Sequence, residues 1–359
     1  MARLVDLPAL HRALVRLPGY EQVPLGALAA LPEKGLAHDH VRIAGTKALL
    51  RVPRQSQFAL SARDNLTYQK ACFGRCQPSG YTPALLGVLE PSDGLPMGAL
   101  LVEHIDGVVL SLPADMAGIA ACLAAIHTLK LPAEAGRPPL QEHREAVAGT
   151  LAIVERQALG LAAAALDRDT QGQIEEELAW ARGFAPVAAG RSQPLALVLS
   201  DTHPGNYLRA ASGRVVCVDL EKAVYGAPAI DLAHASLHTS TTWDVAAAAS
   251  LSRAEIQAFY AGYLALLPAP MREALRPWLL PLRRLTWLRS VTWCVHYRVE
   301  SAKARRRDKH LAASTEDWST EDVDTALTAH VEGRVADYLN PATIAAIRAE
   351  WLGPDPLSF

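Results

Sequence analysis

At 359 residues the chain exceeds one ordinary domain, which sets an expectation of two domains or of one bilobal enzyme around a cleft. Half of the residues are hydrophobic and only 20% are charged, which excludes general disorder and leaves ample material for a core. Lys and Arg number 35 against 37 Asp and Glu, so net charge gives no case for nucleic acid or an anionic membrane as the main partner, and any phosphate site must be local.

Residues 5 to 17 have the spacing of a short amphipathic helix that stops before Pro18-Gly19, and they read as an appendage. Asp6 and His11 interrupt their apolar residues, so they do not read as a signal peptide. Nowhere does the chain approach the roughly 18 uninterrupted apolar residues that span a bilayer, and the expectation is a soluble, cytoplasmic protein. From His40 the pattern changes to a hairpin: His40-Val41-Arg42-Ile43, a turn at Ala44-Gly45-Thr46, then Lys47 to Val52, with Lys47, Leu49 and Arg51 on one face. A helix from about Ser61 to Phe73 follows, and then strands over Pro83 to Leu89 and Gly98 to Glu103, split by the turn Pro91-Ser92-Asp93-Gly94.

After Gly107 the periodicity becomes helical, over 114 to 130, 141 to 165 and 169 to 182, with the Pro-rich stretch Leu131 to Pro139 dividing the first two. The domain boundary is therefore expected near 104 to 107, separating an appendage and β-rich unit (1–104) from a helical unit (105–359). A second β region at 195 to 219 sits inside the helical half, and further helices are expected in 253 to 299 and 322 to 352. The one basic run, Lys303 to His310, reads as a solvated loop or helix end, because the acidic stretch at 315 to 324 cancels its field. Cys72, Cys76, Cys122, Cys217 and Cys294 are odd in number and lie in apolar or helical contexts, which favours reduced core thiols.

The chemistry concentrates after Leu195-Ala196-Leu197-Val198-Leu199, a short apolar run that fits a buried strand delivering Asp201 at its end. In Thr202-His203-Pro204-Gly205-Asn206 the Pro-Gly turn brings Asn206 back beside Asp201. Tyr207 to Ala210, the turn Ala211-Ser212-Gly213 and Arg214 to Val218 form a hairpin signal whose second strand ends at Asp219, near Asn206. Asn206 and Asp219 are hard oxygen ligands suited to Mg²⁺, and Asp201 is left free as a base. That division of labour suits phosphoryl transfer from a nucleotide to a hydroxyl. A cation on a strand of the first unit, Arg51 or else Lys47, would hold the donor phosphates.

At these residues the chain resembles the aminoglycoside phosphotransferase and choline kinase superfamily. Asp201, His203, Pro204, Gly205 and Asn206 match its catalytic loop, H-G-D-x-x-x-x-N, although Leu199-Ser200 stands where the family has His-Gly. Val218-Asp219-Leu220-Glu221 resembles the family's I-D-x-E strand end, and Gly226-Ala227-Pro228-Ala229-Ile230-Asp231-Leu232-Ala233 its G-x-P-x-x-D-L-A segment. The resemblance implies a bilobal, protein-kinase-like α+β fold with a small β-rich N-terminal lobe and a larger, mostly helical C-terminal lobe. It implies ATP as phosphate donor, Mg²⁺ as cofactor and a small hydroxylated molecule as acceptor. By the same resemblance Asp201 is the catalytic base, Asn206 and Asp219 hold the metal, and Asp231 supports the catalytic loop. Gly35 to Asp39 stands where the family has its nucleotide-covering loop, and Leu50-Arg51-Val52-Pro53 resembles the strand with the phosphate-binding cation. Leu101 to Gly107 resembles the hinge, so Glu103, His104 and Ile105 are expected around adenine. The family's helix glutamate has no clear equivalent, Asp64, Asn65 and Gln69 being nearest.

Two other classes fit parts of the pattern. A kinase-shaped pseudoenzyme accounts for Leu199-Ser200 and the absent helix acid, and a metallohydrolase would use His203 and His234 with Asp201, Asp219 and Asp231.

Overall fold

In a computed structural model, which describes residues 5–32, 37–304 and 325–359, the aliphatic runs of the first third pair into one antiparallel sheet. Its strands are β1 (Leu28–Ala30), β2 (His38–Ile43), β3 (Ala48–Pro53), β4 (Leu85–Leu89) and β5 (Ala99–Glu103), in the order β1-β2-β3-β5-β4. His40 lies opposite Arg51, and Leu50 opposite Leu101. Side chains alternate between the two faces of a strand. Val41, Ile43, Leu50, Val52 and Leu101 accordingly fill a core on one face, while Leu100 and Val102 join the other face beneath α2 (Ala62–Cys76). Arg51 has the parity of this second face, so the cation is aimed at the rest of the molecule.

The N-terminal helix α1 (Leu7–Leu14) is no appendage. Its Leu10 and Leu14 are fully buried in the first core, because β1 to β3 alone leave that face of the sheet uncovered. Asp6 caps the helix by accepting a hydrogen bond from the Ala9 N–H, and Pro8 sits in its first turn, where an N–H has no partner to lose.

The chain leaves the sheet at Glu103 and immediately forms β6 (Gly107–Val109), which pairs with β8 (Tyr207–Ala210) and not with the first sheet. Helices dominate from there: α3 (Met116–His127), α4 (Ala146–Ala158), α5 (Arg168–Ala188), α6 (Pro228–Ser236), α7 (His238–Thr241), α8 (Arg253–Leu266), α9 (Ala269–Ala304), α10 (Thr325–Tyr338) and α11 (Pro341–Leu352). The helical stretch expected after residue 253 divides at Leu267-Pro268, because a residue before proline is disfavoured in the helical region. By length and composition alone one stretch among the described residues, Ala146–Ala163, reaches a mean hydropathy of 1.2. It contains Glu155 and Arg156, however, and its Val147 and Val154 are buried in the helical core.

Three more short strands complete the β structure: β7 (Ala196–Val198), β9 (Val215–Cys217) and β10 (Val224–Gly226). β8 and β9 form the expected hairpin, whereas β10 pairs antiparallel with β7, a contact without a turn signal in the sequence. α3 lies against β9 so closely that a Cβ on Gly118 would come within 2.3 Å of Val215. Gly35 and most of the basic run Lys303 to His310 lie outside the described residues. All five cysteines are buried free thiols, as their apolar contexts implied.

Candidate active site

β7 is buried along its whole length, and the chain that leaves it is held by α6. Asp231, in the first turn of α6, accepts hydrogen bonds from the backbone N–H of Leu199 at 2.7 Å and of Ser200 at 2.8 Å. The Thr202 hydroxyl donates to the Asp231 carbonyl, and the Thr202 N–H donates to His234 Nδ1. From the far side, His127 Nε2 lies 3.1 Å from Asp231 and its Nδ1 2.8 Å from the Tyr263 hydroxyl. With the ring donating to the carboxylate, Nδ1 accepts from the phenol. Ser200 adopts φ +65°, a left-handed conformation that glycine takes without cost, which gives a physical reason for glycine at this place in the resembled motif. Leu199 points into the core instead of hydrogen bonding, and the loop keeps its anchors because they are backbone groups.

Asp201 sits at the mouth of this loop, about a quarter exposed. Its Oδ2 accepts from Lys222 Nζ at 2.7 Å, while Oδ1 faces the Nε2 atoms of His203 and His234 at 3.9 and 4.0 Å. Burial opposes ionisation here, but Lys222 and then the two histidines outweigh it and hold the carboxyl well below the usual range. Burial in turn pushes His234 down to about 4, so its ring is neutral near pH 7.

The single turn Pro204–Asn206 carries the chain back, and Asn206 Nδ2 donates to the Asp201 carbonyl at 2.8 Å. The Asn206 carbonyl accepts from the Val218 N–H, so Asp219 emerges from the hairpin beside it. Arg51, 4% exposed, reaches across from β3 and donates to the Val218 carbonyl at 3.0 Å and to Asp219 Oδ1 at 2.7 Å. Despite burial, Arg51 and His38 keep the Asp219 carboxyl below its ordinary value. Asp219 Oδ2 and Asn206 Oδ1 accept no hydrogen bond among the described residues. Two open oxygens at neighbouring positions fit Mg²⁺, which draws most of its shell from water and phosphate. Among the described residues no cluster of three or more His, Cys, Asp or Glu could hold a metal by itself, as the metallohydrolase alternative would need, and Lys222 takes one of the two Asp201 oxygens.

Among the described residues no helix acid balances Arg51. Asp64 is engaged by the Ser61 hydroxyl at the start of α2, and Asn65 is buried with its Nδ2 unpartnered. Gln69 donates to Glu221. Asp219 takes the ionic role across the cleft instead. Beside it lies a buried pair: Glu221 Oε2 is 3.3 Å from His38 Nε2, and Gln57 donates to Glu221 Oε1 at 2.7 Å. Burial, followed by the Asp219 carboxylate, pushes Glu221 up to about 8. Burial, followed by Arg51, pushes His38 down to about 3.

At the end of β5 the Glu103 N–H donates to the Ala84 carbonyl and the His104 N–H to the Lys47 carbonyl. Both are therefore occupied, while the Ile105 N–H takes no partner among the described residues. Lys222 and Glu221 were not singled out in the sequence as site residues. Glu221 ends the Val218 to Glu221 motif and Lys222 follows it, so the signal lay in reading one residue further and in asking what a charged pair does at a strand end.

A sheet-bearing lobe and a helical lobe, with the Asp201 loop and the hairpin that ends at Asp219 between them, define a protein-kinase-like phosphotransferase fold. The chain belongs to the phosphotransferase enzyme family, whose model matches residues 29–278, and it is a small-molecule kinase. Its fold is similar to that of a choline/ethanolamine kinase family protein from Mesorhizobium loti, with TM-score 0.58 and 17% identity over 95% of this chain and 98% of that one. It is also similar to choline kinase from Cryptosporidium parvum, with TM-score 0.55 and 12% identity over 96% and 97%. The GDP complex of aminoglycoside 2'-phosphotransferase-IIIa gives TM-score 0.58 and 12% identity over 92% and 99%. No curated protein matches the chain in sequence.

Proposed function

We propose that the chain transfers the γ-phosphate of ATP to a hydroxyl of a small metabolite such as an amino alcohol, a sugar or an aminoglycoside-like compound. The observation that carries this is the convergence of Asp201, Asn206 and Asp219, joined by the Asn206 to Asp201 and Val218 to Asn206 hydrogen bonds. In this reading Asp201 Oδ1, the oxygen without a hydrogen-bonded cation, orients the acceptor hydroxyl and takes its proton. Asn206 and Asp219 would hold Mg²⁺, which when bound neutralises charge on the donor phosphates. Arg51 turns one amino group from Asp219 to those phosphates, keeping its bond to the Val218 carbonyl. Adenine meets the backbone at Glu103 to Ile105, with the open N–H of Ile105 as donor. We place the lobe boundary between residues 104 and 105, in the crossing from β5 to β6. The five unpaired thiols favour a cytoplasmic setting.

The test is ATP consumption over a panel of hydroxylated metabolites, with Asp201→Asn and Asp219→Ala compared with the wild type. Asp201→Asn should lower turnover by about 10³-fold or more while sparing nucleotide binding, and Asp219→Ala should remove the Mg²⁺ dependence of that binding. Wild-type turnover in either variant sinks these assignments, and nucleotide binding without transfer to any acceptor favours the pseudoenzyme.

A further inference from the structure

One oxygen of the proposed base is already taken. Lys222 Nζ lies 2.7 Å from Asp201 Oδ2, and Oδ1 has only the two histidine rings near 4 Å. An ammonium carries three N–H donors, and among the described residues Lys222 gives one to Asp201 and none elsewhere. Its side chain is 37% exposed and that of Asp201 27%, so the contact opens toward solvent at the cleft. The backbone beneath it is firmly held. Leu220 and Ala223 on either side are fully buried, and the Tyr68 hydroxyl donates to the Ala223 carbonyl at 2.9 Å. The segment that carries Asp219 thus presents, from a firmly held backbone, a cation with donors to spare to the carboxylate of Asp201.

The pair is only part-buried, and the remaining Lys222 donors take no partner among the described residues, so hydrogen bonding within the fold does not account for the arrangement. We propose that Lys222 is a catalytic residue that bridges Asp201 and the phosphoryl group in flight. A lone pair of the acceptor hydroxyl oxygen forms the new bond to the γ-phosphorus. The bond from that phosphorus to the β,γ-bridging oxygen breaks, its electron pair leaving with the nucleoside diphosphate, and the hydroxyl proton passes to Asp201 Oδ1. Lys222 keeps its proton throughout. Its N–H on Oδ2 decides which oxygen remains open to the acceptor. Its other donors meet the equatorial phosphoryl oxygens, over which charge is spread in the transition state and where a preorganised cation acts most strongly.

This role rests on the phosphotransferase reading above, and the test separates the two. The probes are MgADP alone and MgADP with aluminium fluoride, a mimic of the transferring phosphoryl group, so no acceptor need be known. The wild type should bind MgADP, and more tightly with aluminium fluoride. Lys222→Met and Lys222→Gln should bind MgADP within about twofold of wild type but lose about tenfold or more of the fluoride-dependent gain, and Lys222→Arg should keep part of it. An undiminished gain in either neutral variant, or no gain in the wild type, overturns the proposal and leaves the phosphotransferase reading standing. A wild type that does not bind MgADP overturns that reading, and the role of Lys222 with it.

Discussion

Glu221 and His38 are buried, 4% and 5% exposed, and each pays for its place in the direction that neutralises it. Glu221 rises from an ordinary 4.5 to about 8 in the fold, so its contribution to stability is complete below about 4.5 and is lost as pH climbs toward 8. His38 falls from 6.5 to about 3, so its contribution is complete above about 6.5 and is lost as pH drops. The two losses lie on opposite sides of a shallow optimum. Glu221→Gln removes only the alkaline one; it keeps one acceptor oxygen, for Gln57, and replaces the oxygen that accepts from Gln69 by an amide donor, a cost that does not vary with pH. In urea melts from pH 5 to 8 the variant should gain on the wild type by on the order of 2 kcal/mol at the alkaline end. A parallel pair of pH profiles would show that Glu221 is ionised throughout. The sequence could not announce this pair, because His38 and Glu221 meet only after the sheet has folded onto the hairpin, and neither has a local pattern that signals burial.

Among elements, α6 has an influence out of proportion to its nine residues. Asp231 is fully buried and accepts the backbone N–H groups of Leu199 and Ser200, with the His127 ring against it from the other side. Asp231→Asn replaces one acceptor oxygen by a donor facing a donor. It should cost about 2–4 kcal/mol in denaturant unfolding and lower turnover more than nucleotide binding, because it loosens the loop that aims Asp201. Equal losses in both readouts would make Asp231 a stabiliser of the lobe alone. Most elements were legible beforehand for ordinary reasons: period two with a Gly turn gave β2 and β3, and sustained helical periodicity gave α3, α5 and α8. β6 and β10 were not, since each is three residues long without the apolar run that marks β7 or the turn that marks β9, and each is defined by its partner, β8 or β7. The place of α1 was missed for a similar reason: its apolar stripe was visible, but not the open sheet face that needed it.

Across the whole molecule, the helical lobe is tied together well away from the cleft. Glu177 on α5 is fully buried and accepts from Arg284 on α9 and from Arg348 and Trp351 Nε1 on α11. The Arg284 guanidinium also lies 3.9 Å from the centre of the Trp180 ring. Glu177→Ala leaves two largely buried guanidinium groups short of their shared carboxylate and should cost about 3–5 kcal/mol in thermal or urea unfolding. Nucleotide affinity of the folded fraction should be unchanged, and a marked loss would reveal coupling between this network and the cleft. The convergence of Asp201, Asn206 and Asp219 was readable because they sit within one short stretch with turn residues between them. Lys222 at Asp201 and Asp219 at Arg51 were not, since each joins segments that only tertiary folding brings together.

The burial of all five cysteines has a practical consequence. Desolvation raises the thiol pKa at Cys72, Cys76, Cys122, Cys217 and Cys294, so thiolate is scarce and reagents have no access to it in the folded chain. A cysteine introduced at an exposed position on each lobe would therefore take up maleimide dyes selectively in an otherwise unaltered sequence. The natural chain is in this sense a ready background for single-molecule energy transfer, by which the distance between lobes can be followed as nucleotide arrives and leaves.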